Sequence, residues 1–244
     1  MTAAGLPVPP GFVVAAEALE QAVDSQRLLA LVRAQAHDEA HALVLSAEPP
    51  AAAIAEAYAR LGAGKVAVRS SACAEDGDAA SFAGQQETYL NVVGAQAVAR
   101  AVVDCWASFF TERALFYRAR KGSLDDLGMA VVVQCMVDPD KSGVLFTVDP
   151  VRRRRDRMMV EAVFGLGEQV VSGSVTPDHY VIDRAGEVKQ EKLVHGGVLT
   201  RDELRRLAEF GLRLEEHFGS PQDVEWAIAG GDVFLLQSRP ETTM

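Results

Sequence analysis

Hydrophobic and polar positions follow two regimes along the chain. From Ala15 to about Leu61, alanine and leucine recur at helical spacing, interrupted once at Glu48-Pro49-Pro50, and the same spacing returns from Ala95 to Arg120. Two short extended stretches punctuate this half. A proline-stiffened lead, Leu6-Pro7-Val8-Pro9-Pro10-Gly11, enters a strand at Phe12–Val14, and Lys65–Arg69 alternates as a second strand. Beyond Gly128 the period shortens. Ala130–Val137, Val144–Val148, Met158–Val163, His179–Asp183, Val188–Val194, Asp223–Ile228 and Val233–Arg239 read as strands. Asp138-Pro139-Asp140-Lys141-Ser142-Gly143 reads as a hairpin turn between the first two, and Arg184-Ala185-Gly186-Glu187 as another. Asp202–Phe218 is the one late helix, with Thr200 or Asp202 as its N-cap. Helices early and antiparallel strands late predict an α+β fold of two lobes, residues 1–124 and 125–244, with the boundary between Lys121 and Gly128.

The closing hairpin is where a register can be argued. On its first strand Val224, Trp226 and Ile228 share one face, and Asp223, Glu225 and Ala227 the other. A two-residue turn at Gly230-Gly231 would set Glu225 opposite Leu236 and Trp226 opposite Leu235, mixing polar with apolar. A three-residue loop, Gly230-Gly231-Asp232, pairs Trp226 with Leu236, Ile228 with Phe234, Glu225 with Gln237 and Asp223 with Arg239. Register follows the hydrophobic pattern, so the longer loop is expected. The polar face then offers hard oxygen ligands of the kind Mg²⁺ accepts, and a guanidinium able to fork onto a phosphate. A surface sheet with a cross-strand Asp–Arg pair fits the same pattern.

Other features narrow the chemistry. Ser70 to Gly84 is a small-residue loop opened by Arg69, which could meet a phosphate or pair with Glu75 or Asp76. Gly62-Ala63-Gly64-Lys65 is not a P-loop, because position 59 is Ala and Val66 follows the lysine; Gly165-Leu166-Gly167 is not a dinucleotide fingerprint, because position 170 is Val. His37 and His41 lie one turn apart on a helix, the spacing of a polar face as well as of a metal pair. The net charge of −10 argues against a nucleic-acid partner, and Arg152-Arg153-Arg154-Arg155-Asp156-Arg157 reads as a solvated loop between strands. Hydrophobic content of 49% and charged content of 24% suit a globular protein with a real core. Cys73, Cys105 and Cys135 form no C-x-x-C pair, a usage that fits a reducing compartment. With no membrane-length apolar run and no signal-peptide pattern at the start, a cytoplasmic location is expected.

Together, Gly5–Val14, Val66–Val92 (with R-S-S-A-C-A-E-D and S-F-A-G-Q), Val131–Pro150, Glu161–Tyr180 and Pro221–Thr242 (with P-Q-D-V-E-W and Q-S-R-P) closely resemble the N-terminal nucleotide-binding domain of the phosphoenolpyruvate synthase and pyruvate phosphate dikinase family, a domain shared with rifampicin phosphotransferase. The resemblance implies an ATP-grasp-like fold holding ATP between two lobes. It implies phosphate contacts from Arg69, Gly84 and Thr88, and Gln134 on the adenine-side hinge strand. It further implies Mg²⁺ held by Glu225 and Gln237 with Asp223 in support, and Arg239, with Arg69, acting on the transferring phosphoryl group.

Two departures shape the expectation. The family's glycine-rich stretch with its nucleotide-contacting lysine has no counterpart here, a loss of one charge-assisted contact worth about 1.5–3 kcal/mol. None of the five histidines stands in the family's T-S-H setting. The resemblance therefore implies a kinase module whose phosphoryl group passes to a histidine on a partner domain or protein. A non-catalytic nucleotide-binding regulatory module, a truncated rifampicin-type phosphotransferase and a free-standing small-molecule kinase are the alternatives.

Overall fold

The computed structural model describes residues 1–72, 87–121, 127–167 and 174–242. The chain divides into two compact units, Pro10–Met136 and the combination of Met1–Pro9 with Val137–Met244. The opening segment therefore packs with the C-terminal unit, and the boundary lies at Met136 rather than between Lys121 and Gly128.

The first unit holds strands β1 (Gly11–Val14), β2 (Val66–Ala72), β3 (Thr88–Val92) and β4 (Met129–Cys135), and helices α1 (Glu17–Ala22), α2 (Ser25–Arg33), α3 (His37–Leu45), α4 (Ala51–Arg60), α5 (Ala95–Ser108) and α6 (Glu112–Lys121). The strands form an antiparallel sheet in the order β1-β4-β2-β3. Val66 and Val68 of β2 and Val131 and Val133 of β4 join a core with Val98, Val102 and Trp106 of α5 and Ile54 and Tyr58 of α4. Burying each of these large side chains contributes about 1.5–3 kcal/mol. The polar tips are satisfied: Trp106 Nε1 donates to the Met129 carbonyl at 3.2 Å, and the Tyr58 hydroxyl accepts from Gly94 N at 2.9 Å. Cys105 is fully buried, and desolvation pushes its thiol up to about 12, so it acts as a small hydrophobe. Cys73 lies outside the described residues.

The second unit holds β5 (Lys141–Phe146), β6 (Arg157–Phe164), β7 (Asp178–Asp183), β8 (Val188–Lys192), β9 (Gln222–Ala229), β10 (Asp232–Pro240) and α7 (Arg201–Phe218). Its antiparallel sheet runs β10-β9-β5-β6-β7-β8. α7 lays Leu204, Leu207, Ala208 and Leu214 in one core with Leu145, Met158, Val160, Tyr180, Ile182 and Trp226. Gly211 allows this approach, since a Cβ there would meet Leu145 Cδ2 at 3.1 Å. A capping box starts the helix: Thr200 caps, and Glu203 returns a bond to the Thr200 backbone while taking Lys141 Nζ at 2.8 Å.

Two sequence expectations change. β4 and β5 do not form a hairpin: β1 and β2 occupy both edges of β4, so the chain after Met136 passes to the other sheet. Gly143, read as a turn residue, sits inside β5, where a Cβ would lie 1.8 Å from the Glu161 carbonyl oxygen and 2.8 Å from Trp226 Cζ2. The glycine is there for close packing. The arginine run is, as expected, an exposed connection between β5 and β6, with Arg152 turned back onto Asp149 and Arg154 onto Asp156.

Candidate functional site

Each sheet has one face covered by helices and one that carries polar side chains. On the first unit's sheet, Val66, Val68, Val131 and Val133 point to the helices, so alternation sends Arg69, Thr88 and Gln134 to the opposite face. Arg69 pairs across strands with Thr88, and Ala67 with Gln134. Gln134 is therefore one two-residue step from Arg69 along the strands, about 7 Å. Gln134 is buried at 6% exposure, whereas Thr88 is exposed. Gly84 lies outside the described residues.

On the second unit's sheet, Asp223, Glu225, Gln237 and Arg239 share the face away from α7. Glu225 is directly opposite Gln237, and Asp223 opposite Arg239, as the sequence pattern demands. The route to those pairs differs from expectation. The turn is the two-residue Gly230-Gly231, with Leu235 opposite Trp226 and Val233 opposite Ile228, and a β-bulge at Leu236 then shifts the register. Near the turn the expected Trp226–Leu236 and Ile228–Phe234 pairs do not form. The core selects Val233 and Leu235 instead, at 2% and 0% exposure.

The matched sequence profile is that of the pyruvate phosphate dikinase AMP/ATP-binding domain, over residues 1–197 and 184–244. The chain belongs to this family. A probable phosphoenolpyruvate synthase of Methanothermobacter thermautotrophicus is 43% identical over 100% of the chain and 42% of the relative. One of Methanocaldococcus jannaschii is 40% identical over 99% of the chain and 24% of the relative. A rifampicin phosphotransferase of Streptomyces sviceus is 45% identical over 98% of the chain and 32% of the relative. The chain thus spans under half the length of each of these relatives. A solved D-alanyl-alanine synthetase A from Vibrio cholerae aligns over 99% of the chain and 54% of its own, at 13% identity and a TM-score of 0.43.

Within this dikinase-family domain the electrostatics of the β9–β10 face are specific. Asp223, only 8% exposed, binds Arg239 Nε at 2.8 Å and Nη2 at 2.7 Å through one oxygen. Burial raises the Asp223 carboxyl above the usual range, Glu241 and Glu225 add to the rise, and Arg239 only partly opposes it. Glu225 and Gln237 are the side chains of this face that could hold a divalent cation. Glu225 and Gln237 supply oxygen donors from adjacent strands, and among the described residues no three His, Cys, Asp or Glu side chains gather closely enough to hold a metal alone. A partial donor set is what Mg²⁺ uses when waters and phosphate oxygens complete its shell.

Two further polar side chains lie on this face, and neither is among the sequence-predicted site residues. Glu161 of β6 and His179 of β7 continue the row that runs Gln237, Glu225, Val144, Glu161, His179 across the sheet. Glu161 Oε1 and His179 Nδ1 are 3.7 Å apart. In the sequence each is a polar residue next to apolar ones, Glu161 between Val160 and Ala162 and His179 before Tyr180-Val181-Ile182, with no motif to single it out.

Proposed function

We propose that this chain is the ATP- and Mg²⁺-binding kinase module of a dikinase-type phosphotransferase, acting in the cytoplasm and passing a phosphoryl group to a histidine on a partner domain or protein. The observation that carries the reading is the cross-strand set Glu225–Gln237 and Asp223–Arg239 on a helix-free sheet face, within a domain whose family binds AMP or ATP. Arg69 and Thr88, paired on the first sheet, take phosphate oxygens; Gln134, on the same face, lies at the adenine end. Glu225 and Gln237 would hold Mg²⁺, which neutralises phosphate charge when bound. Asp223 orients Arg239 by gripping two of its nitrogens, and Arg239 places its guanidinium against charge developing on the transferred group. Catalysis of this type is positioning and charge neutralisation, which asks for no nucleophile from this chain.

Relatives named for phosphoenolpyruvate synthesis and for rifampicin phosphorylation match at similar identity, which supports a shared ATP-handling half rather than one acceptor. The test is transfer of label from ATP labelled in both its β- and γ-phosphates, in the presence of Mg²⁺, to a histidine-bearing partner domain. Label on the partner only when this chain is present supports the proposal. Nucleotide binding with no transfer to any histidine domain supports a regulatory module instead.

A further inference from the structure

The bulge at Leu236 is unnecessary for the pairing it interrupts. Before it, Leu235 faces Trp226; after it, Gln237 faces Glu225, Ser238 faces Val224 and Arg239 faces Asp223, while Leu236 has no partner on β9. Trp226 and Glu225 are consecutive. A strand lacking Leu236 would place Gln237 directly after Leu235, keeping every pair on both sides and every side chain on its present face. The extra residue costs a continuous ladder and returns nothing in register.

What a bulge does change is direction, since it bends the strand and increases its local twist. This one falls at the step where β10 passes from core residues (Val233 and Leu235) to Gln237 and Arg239. Bulges also protect sheet edges, and β10 is terminal in its sheet. That role is already filled here, because Leu235 N donates to the Pro7 carbonyl at 2.8 Å, so the opening segment meets the outer edge just before the bulge.

We propose that Leu236 is a positioning residue, whose backbone turns Gln237 and Arg239 toward bound nucleotide and metal at the expense of a regular hairpin. This rests on the nucleotide reading above. The experiment compares the wild type, a deletion of Leu236 and Leu236→Ala, measuring ATP affinity with and without Mg²⁺ by calorimetry, thermal midpoint, and oligomeric state by light scattering. The deletion is expected to fold with an unchanged or raised midpoint and to lose about tenfold or more of its Mg²⁺-ATP affinity, because small misplacements of such groups are costly. Leu236→Ala keeps the extra backbone residue, so it should lower the midpoint while retaining most of the Mg²⁺ enhancement. A deletion variant with wild-type affinity and Mg²⁺ dependence overturns the proposal, and one that also self-associates assigns the bulge to edge protection. A deletion that fails to fold, or Leu236→Ala weakening binding as much as the deletion, assigns the residue a structural role instead. A wild type that binds no nucleotide overturns the underlying reading, and the proposal with it.

Discussion

Replacing Asp178 by asparagine turns one acceptor oxygen into an amide NH₂ inside a ring of donors. Asp178 is fully buried. Its Oδ1 accepts from Val194 N and His195 N, both at 2.6 Å, and its Oδ2 from Gly197 N at 2.9 Å and Val198 N at 2.8 Å; the Tyr180 hydroxyl approaches Oδ2 at 3.3 Å. The carboxylate thus ties the 194–198 loop to the start of β7, next to His179. In Asp178→Asn, whichever side receives the NH₂ loses two bonds to a charged acceptor. At about 1.5–3 kcal/mol each, less some relaxation, the expected loss is about 3–5 kcal/mol. Urea unfolding followed by fluorescence reports it, since Trp226 lies in the same unit. A loss under about 1 kcal/mol would show that the loop is held by its other contacts and refute the reasoning. The pH dependence gives a second check. Burial alone would raise this carboxyl, but the four backbone N–H groups outweigh it and hold it below the usual value. Its stabilisation is then complete above the unfolded value of about 3.9 and disappears as pH falls through the lower folded value. The gap between wild type and Asp178→Asn should therefore close in acid.

Gly143→Ala pushes a methyl group against the Glu161 carbonyl at 1.8 Å, so β5 and β6 must separate. A loss above about 4 kcal/mol or insoluble expression is expected, and a stable, soluble variant would contradict the packing argument. Thr200→Ala removes the cap of α7 and should cost about 1 kcal/mol in denaturant titration. Arg239→Ala should abolish phosphoryl transfer while circular dichroism stays that of the folded chain; full residual transfer would show that Arg239 has no part in the reaction.

How much of this was legible in the sequence differs element by element. The polar pairs on β9 and β10 could be read because alternation at Asp223 and Glu225 needs matching alternation at Gln237 and Arg239. The bulge could not. The apolar residues near the turn fit one register and the polar residues beyond it another, and a pattern treated as one uniform register must choose. The Ala130–Val137 and Val144–Val148 runs look like a hairpin because they are close in sequence and joined by turn residues. Only the competition of β1 and β2 for the edges of β4 separates them. β3 was missed because Thr88–Val92 is five residues long and half-exposed, with little periodicity to detect. The N-cap of α7 was narrowed by sequence only to Thr200 or Asp202, and the reciprocal bonds between Thr200 and Glu203 decide for Thr200.

In the proposed function, Glu225 and Gln237 bring Mg²⁺ to a nucleotide held by this chain. Calorimetric titration with ATP, with and without Mg²⁺, on the wild type and Glu225→Ala tests it most directly. ATP binding that Mg²⁺ strengthens is expected in the wild type, with the enhancement lost in Glu225→Ala. No binding at millimolar ATP, or binding whose Mg²⁺ dependence survives the substitution, would contradict it.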